Sequence, residues 1–138
     1  MTAAELVAVM LIFSDGKHEG RSRTLAHALI SCAEMFDVPP IELAAIAWNE
    51  SAYNVMAIGR VGERGPLQVA PGSAETWCRH LPRGTTPWHV ETMCGAHLYA
   101  LAKARCPAHP FTSYNRPSKC GPSRYETKVR ATLRKVTK

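Results

Sequence analysis

Ala47-Trp48-Asn49-Glu50-Ser51-Ala52-Tyr53-Asn54 is the stretch on which the reading of this chain turns. It closes an apolar helical run and opens a segment that cannot continue as helix. Upstream, Pro39-Pro40 supplies a rigid start, because proline is tolerated in a helix's first turn, and the pattern predicts a helix from Ile41 to about Ser51. Leu43, Ala47 and Glu50 lie four and three apart, so Glu50 projects from the end of an apolar stripe. From Asn54 to Gly72, four glycines and two prolines read as turns or a short hairpin, a shaped loop immediately after Glu50.

The rest of the chain is mainly helical in pattern. Thr2 with Glu5 is a capping box ahead of Leu6, Val7, Val9, Met10 and Leu11, and Asp15-Gly16 ends that first helix. A second helix is expected from about Thr24 to Phe36, with Leu25, Leu29, Cys32 and Phe36 on its inner face. Ser73 to Leu81 reads as a short helix. Thr86-Pro87 caps and starts a longer one to about Arg105. A loop holding Pro107, Pro110, Pro117 and Gly121 then leads to a basic helix from about Pro122 to Val136. No internal repeat and no set of alternating strands is visible.

At 138 residues and 46% apolar, the chain is sized for one domain with its own core, and a single domain over 1–138 is expected. Residues 1–69 carry five Lys/Arg against eight Asp/Glu, whereas residues 70–138 carry twelve against three. The basic half favours an anionic polymer or surface without choosing among nucleic acid, acidic lipid and bacterial envelope; solvated surface cations are the plain alternative. Leu6 to Phe13 is too short to span a bilayer and has no preceding Lys or Arg, so it reads as a buried helix rather than a secretory signal.

Five cysteines, Cys32, Cys78, Cys94, Cys106 and Cys120, leave at least one unpaired in a monomer. The last four are separated by sixteen, twelve and fourteen residues, spacings that suit bridges formed in an oxidising compartment. Cys94-x-x-His97, Cys106-x-x-His109 and Cys78-x-His80 also have workable zinc spacing. Packing on the inner face of its helix is the simpler account of Cys94, and no metal or cofactor is expected.

A carboxylic acid held against apolar surface keeps its proton toward neutral pH, as glycosidic bond cleavage requires. Glu50 follows Ile46, Ala47 and Trp48 and precedes a loop that can admit a polymer. Taken alone, a Glu at a helix end is a solvated residue. The surrounding run changes that reading. Glu50-Ser51 is followed by Gly62-Glu63-Arg64-Gly65-Pro66-Leu67-Gln68-Val69-Ala70-Pro71 and Ala74, then Gly95-Ala96-His97-Leu98-Tyr99, Ser113-Tyr114-Asn115, and Tyr125 with Val129. In that order, over roughly residues 41 to 133, these resemble the soluble lytic transglycosylase domain of the lysozyme-like superfamily.

The resemblance implies a mainly α, lysozyme-like helical domain with short glycine-rich loops or a minimal β-hairpin, acting on peptidoglycan. It implies Glu50 as the acid/base, Ser51 as a residue that holds the sugar or orients Glu50, and Gln68, Tyr114 and Asn115 as lining of the glycan cleft. Tyr125 would hydrogen-bond the catalytic carboxyl. Read without the resemblance, Tyr114 and Tyr125 are core aromatics and Asn115 is a turn residue. A lysozyme uses two carboxylates. A lytic transglycosylase uses one twice, the substrate's own C6 hydroxyl attacking C1 to leave a 1,6-anhydro end.

The sequence departs from the family at Glu63-Arg64 and at Pro66. A Glu63 facing the cleft would position a water as a second acidic group and give hydrolysis instead; opposite charges side by side in a loop otherwise face solvent. The competing class is a basic nucleic-acid- or wall-binding module built on Arg124, Lys128, Arg130, Arg134 and Lys135, but no nucleic-acid-binding motif accompanies those cations, and no nucleic-acid partner is expected. The small size and the absence of a signal resemble phage-type enzymes: an endolysin made in the host cytoplasm that reaches cell-wall peptidoglycan after release, or a virion component. A monomer is expected, with the basic terminal helix docking on the anionic envelope.

Overall fold

The computed structural model describes residues 1–83 and 86–137. Within them run α1 (Ala3–Phe13), α2 (Glu19–Phe36), α3 (Pro40–Ser51), α4 (Pro71–Trp77), α5 (Pro87–Arg105), α6 (Pro110–Asn115) and α7 (Arg124–Arg134). The fold is mainly α, as expected, and no named strand is present among the described residues.

Local chemistry sets most helix ends. The Thr2 hydroxyl accepts from the Glu5 N–H at 3.1 Å while the Glu5 carboxylate accepts from the Thr2 N–H at 2.9 Å, closing the capping box on α1. Proline occupies the first turn of α3, α4, α5 and α6, where its missing N–H costs no helical bond. Ser123 caps α7 by accepting from the Glu126 N–H.

The core lies where α1, α2, α3 and α5 meet. Leu6, Met10, Phe13, Leu25, Leu29, Leu43, Ile46 and Tyr99 are all fully buried there. Each buried side chain of this size contributes roughly 1.5–3 kcal/mol relative to exposure. Phe36, expected on the inner face of α2, is only partly buried, with its ring 5.0 Å from that of His97. A polar tie crosses the core's edge: Glu42 of α3 accepts from the Tyr99 hydroxyl and, at 2.8 Å, from the Lys103 ammonium of α5.

Four cysteines are paired, Cys78 with Cys94 and Cys106 with Cys120, and Cys32 is a buried free thiol. Cys94 is therefore a crosslink, which corrects the reading of it as a packing residue. All three sulfurs of the zinc-like spacings are taken up in disulfides, Cys78 with Cys94 and Cys106 with Cys120, and no group of three or more potential metal ligands occurs among the described residues.

Several boundaries differ from expectation. α2 begins at Glu19 rather than Thr24, because Ser22 is buried and its hydroxyl bonds back to the His18 carbonyl. α4 runs from Pro71 and ends at Trp77. The loop after α5 contains a helix, α6, where a run of prolines reads as coil; Pro110 opens it. α7 spans only Arg124–Arg134. The segment read as turns or a hairpin is held by two isolated bridges, Ile58 with Arg64 and Arg64 with Val69.

Candidate active site

α3 brings Glu50 to the surface end of the core and then stops abruptly. Ala52 and Tyr53 both have left-handed backbones, φ 50° and 65°, an unusual pair for residues with side chains. Tyr53 holds this turn: its ring is fully buried beside Trp48 and its hydroxyl donates to the Met10 carbonyl at 3.2 Å. Backbone strain of roughly 1–3 kcal/mol per residue persists only where surrounding packing fixes it, and here it fixes the direction in which Glu50 leaves the helix.

The loop from Asn54 to Ala70 folds back over that end. Ser51 donates to the Pro66 carbonyl at 2.8 Å and to Ala47 at 3.0 Å, so its hydroxyl fastens the loop to α3 rather than bonding to Glu50. Gln68, itself left-handed at φ 51°, donates its amide to the carbonyls of Gly65 (3.0 Å) and Ala57 (3.2 Å). Leu67 is buried directly against Gly95 of α5. A Cβ there would stand 2.5 Å and 2.6 Å from two Leu67 side-chain atoms, so only glycine permits this approach.

The other wall comes from the C-terminal half. Tyr114 of α6 donates to the Leu67 carbonyl at 2.6 Å. α6 is held by Arg105, which donates to the Ser113 hydroxyl at 2.9 Å and to its carbonyl at 3.3 Å, a positioning contact with no signal in the residue pattern. Tyr125 of α7 donates to Glu50 Oε2 at 2.8 Å.

These walls enclose a cleft of about 230 Å³ lined by Glu50, Glu63, Gln68, Leu98, Tyr114 and Asn115 among others. Of the residues singled out in the sequence, Glu50, Glu63, Gln68, Tyr114 and Asn115 line this cleft, Tyr125 bonds to Glu50, and Ser51 lies behind it in the loop junction. The adjacent charges at 63 and 64 part company. Glu63 lines the cleft and accepts from the Val61 N–H at 3.0 Å, while Arg64 is exposed and lines a separate hollow with Glu91.

Burial pushes the Glu50 carboxyl up to about 7 from its ordinary 4.5. The Tyr125 hydrogen bond, which favours the charged form, works against that shift, and the negative charge of Glu63 adds to it. Near neutral pH Glu50 is thus divided between acid and base. Burial, then the Glu50 charge, raises both Tyr114 and Tyr125 well above an ordinary phenol, so both remain hydrogen-bond donors.

The terminal cations are only partly free. Arg130 reaches the Ala108 carbonyl at 3.3 Å, lies 3.7 Å from Glu126 and stacks over Phe111. Lys135 donates to the Phe13 carbonyl at 3.0 Å and lies 3.4 Å from Asp15. Both serve the fold.

A mainly helical domain with a glutamate near a helix end opening onto a cleft is consistent with a lysozyme-like domain. Residues 27–87 match the family model described as the transglycosylase SLT domain. That match covers less than half of the chain; it supports an SLT domain of the lysozyme-like superfamily and, at family level, a peptidoglycan-degrading function of the lytic transglycosylase type. The match spans Glu50, Ser51, Glu63 and Gln68 and ends before Tyr114, Asn115 and Tyr125. No curated protein and no solved structure matches the chain.

Proposed function

We propose that the chain cleaves the β-1,4 bond between N-acetylmuramic acid and N-acetylglucosamine in peptidoglycan, with Glu50 as a single acid/base. Protonated Glu50 gives its proton to the leaving glycosidic oxygen as the C1–O bond breaks. The resulting carboxylate takes a proton from the muramic acid's C6 hydroxyl, whose oxygen attacks C1 and leaves a 1,6-anhydro end. The observation that carries this reading is a carboxyl pushed up to about 7 and aimed by Tyr125 at an open cleft, since one group must serve in both protonation states. Gln68, Tyr114 and Asn115 line the path of the strand. Ser51 acts through the loop it fastens.

A second reading rests on Glu63, whose presence in the same cleft supports a water-activating role and a hydrolytic, lysozyme-type product. Mass spectrometry of muropeptides released from purified peptidoglycan by wild type and Glu50→Gln separates the two. Anhydro ends made only by the wild type support the transglycosylase; reducing ends lost in the variant support the hydrolase; no release by either overturns both.

Two disulfides favour work in an oxidising compartment. Lys128 and Arg134 of α7 make no side-chain ion pair or hydrogen bond among the described residues, which supports docking to an anionic envelope that weakens with salt.

A further inference from the structure

Among the described helices only α4 has no buried residue. It is seven residues long and includes Gly72, and a helix so short is not stable by itself. Its side chains make no hydrogen bond or ion pair among the described residues. Ser73 and Trp77, four apart, share one face. Ser73 lines the Glu50 cleft, and both line a shallow groove of about 80 Å³ that continues it along Leu98, Tyr114 and Pro117. Pro71, Ala74 and Cys78, three and four apart, form another face, over a hollow of about 220 Å³ whose far side holds Val90 and Cys94 of α5. With that hollow beneath it, the firm tie of α4 to α5 is covalent, the Cys78–Cys94 bridge at its C-terminal end. Val69 before the helix and Leu81 after it reach the core, so the flanks stay placed while α4 between them depends on the bridge.

We propose that the Cys78–Cys94 bridge is a redox gate on the Glu50 cleft: formed, it sets α4 as one wall of the cleft; reduced, it lets α4 swing loose and the strand is no longer held. The inference rests on the peptidoglycan reading of that cleft and adds its regulation. Both cysteines border the hollow and Cys78 is partly exposed, so a small thiol reaches the bridge from solvent. A thiolate attacks the Cys78 sulfur, the S–S bond breaks and Cys94 leaves as a thiolate. A second thiol resolves the mixed disulfide and frees Cys78. Two electrons and two protons have then passed to the cysteines, and the two reductant thiols have become one disulfide. A disulfide oxidant reverses the exchange. Tying residues 16 apart favours the closed arrangement by on the order of a hundredfold over an untied segment. Cleavage is thus switched off where thiol reductants dominate and on after oxidation, while the core of α1, α2, α3 and α5 stays folded. No group of α4 contributes to the raised proton affinity of Glu50, so the gate leaves that titration alone.

The test uses the variant Cys106→Ser, Cys120→Ser, in which Cys78–Cys94 is the one bridge left to reduce. On purified peptidoglycan, dithiothreitol is expected to raise its KM and lower kcat/KM about tenfold or more. The alkaline limb near pH 7 stays where it was, the protein remains folded by circular dichroism, and oxidised glutathione restores the activity. The variant Cys78→Ser, Cys94→Ser is expected to be as weak without dithiothreitol and to gain nothing from the oxidant. Full activity in the reduced protein or in that second variant overturns the gate. So does a loss that comes with unfolding at the assay temperature or with a moved pH limb. Should the oxidised wild type cleave nothing, the cleavage reading fails by itself, and amide hydrogen exchange decides the gate. The Ala74 and Cys78 N–H groups bond to the Ala70 and Ala74 carbonyls, both at 3.0 Å. Their faster exchange on reduction, with α3 and α5 still protected, supports the gate; unchanged exchange overturns it.

Discussion

Tyr125 donates a 2.8 Å hydrogen bond to Glu50 across 75 residues of chain, joining the start of α7 to the end of α3. Burial raises the Glu50 proton affinity and this bond tempers it, so the pair sets how much acid is present at neutral pH. In Tyr125→Phe the tempering is lost and the carboxyl titrates higher. The alkaline limb of kcat/KM, near pH 7 in the wild type, is expected to move upward, while kcat falls about tenfold from lost aim. An unchanged pH profile sinks this account of the contact.

Glu63 pushes Glu50 in the other direction from a neutralising partner, its charge disfavouring a second carboxylate in the cleft. Glu63→Gln is therefore expected to lower the alkaline limb. Under the transglycosylase reading anhydro products persist and the rate drops less than about tenfold. Loss of all product, read by the same mass spectrometry, instead assigns Glu63 a direct part.

The raised Glu50 also costs stability. Its folded form holds a proton that the unfolded chain releases near 4.5, so stability is full below that pH and is lost as pH rises to about 7. Glu50→Gln removes the titration. It is expected to melt with the wild type at pH 4 and above it at pH 8, by at most about 3 kcal/mol, while cleavage falls by roughly two to four orders of magnitude. Calorimetry at the two pH values checks the sign; a variant less stable than wild type at pH 8 refutes it.

Gly95→Ala places a methyl against Leu67 and must displace it. A cost of about 1–3 kcal/mol is expected from overpacking. Because the Leu67 carbonyl receives the Tyr114 hydroxyl, activity is expected to drop even at temperatures where the variant is folded. Retained activity alongside lowered stability separates the packing role from the site.

Reducing the Cys106–Cys120 bridge reopens a loop with a sequence separation of 14, worth about 3 kcal/mol by loop entropy. Thermal melts with and without reductant, repeated on a Cys106→Ser, Cys120→Ser variant, measure it. A variant as stable as the oxidised wild type rules out the contribution.

What the sequence made legible follows from where the physics is local. Thr2 with Glu5, Pro39-Pro40 and Thr86-Pro87 are contained within a few residues, and α1, α3 and α5 begin where those signals place them. Glu50 was visible because an apolar stripe ran into a glycine-rich segment. α6 was not, since prolines that start a helix and prolines that break one look alike until tertiary contacts choose. The Ser51–Pro66 bond, the Arg105 hold on Ser113 and the parting of Glu63 from Arg64 depend on how the loop lies over α3, which spacing does not encode. The left-handed turn at Ala52-Tyr53 was equally hidden, because neither residue carries the glycine signature such a backbone usually shows.

Cys32 is fully enclosed, and burial pushes its thiol up to about 11, so in the folded molecule it is shielded both sterically and chemically. With the other four sulfurs locked in bridges, the oxidised protein contains one thiol that a maleimide can reach, and only after the α1–α2–α3 interior parts. The molecule thereby carries its own stopwatch: the rate at which a single label accumulates counts how often the centre breathes open, without any probe having to be engineered in.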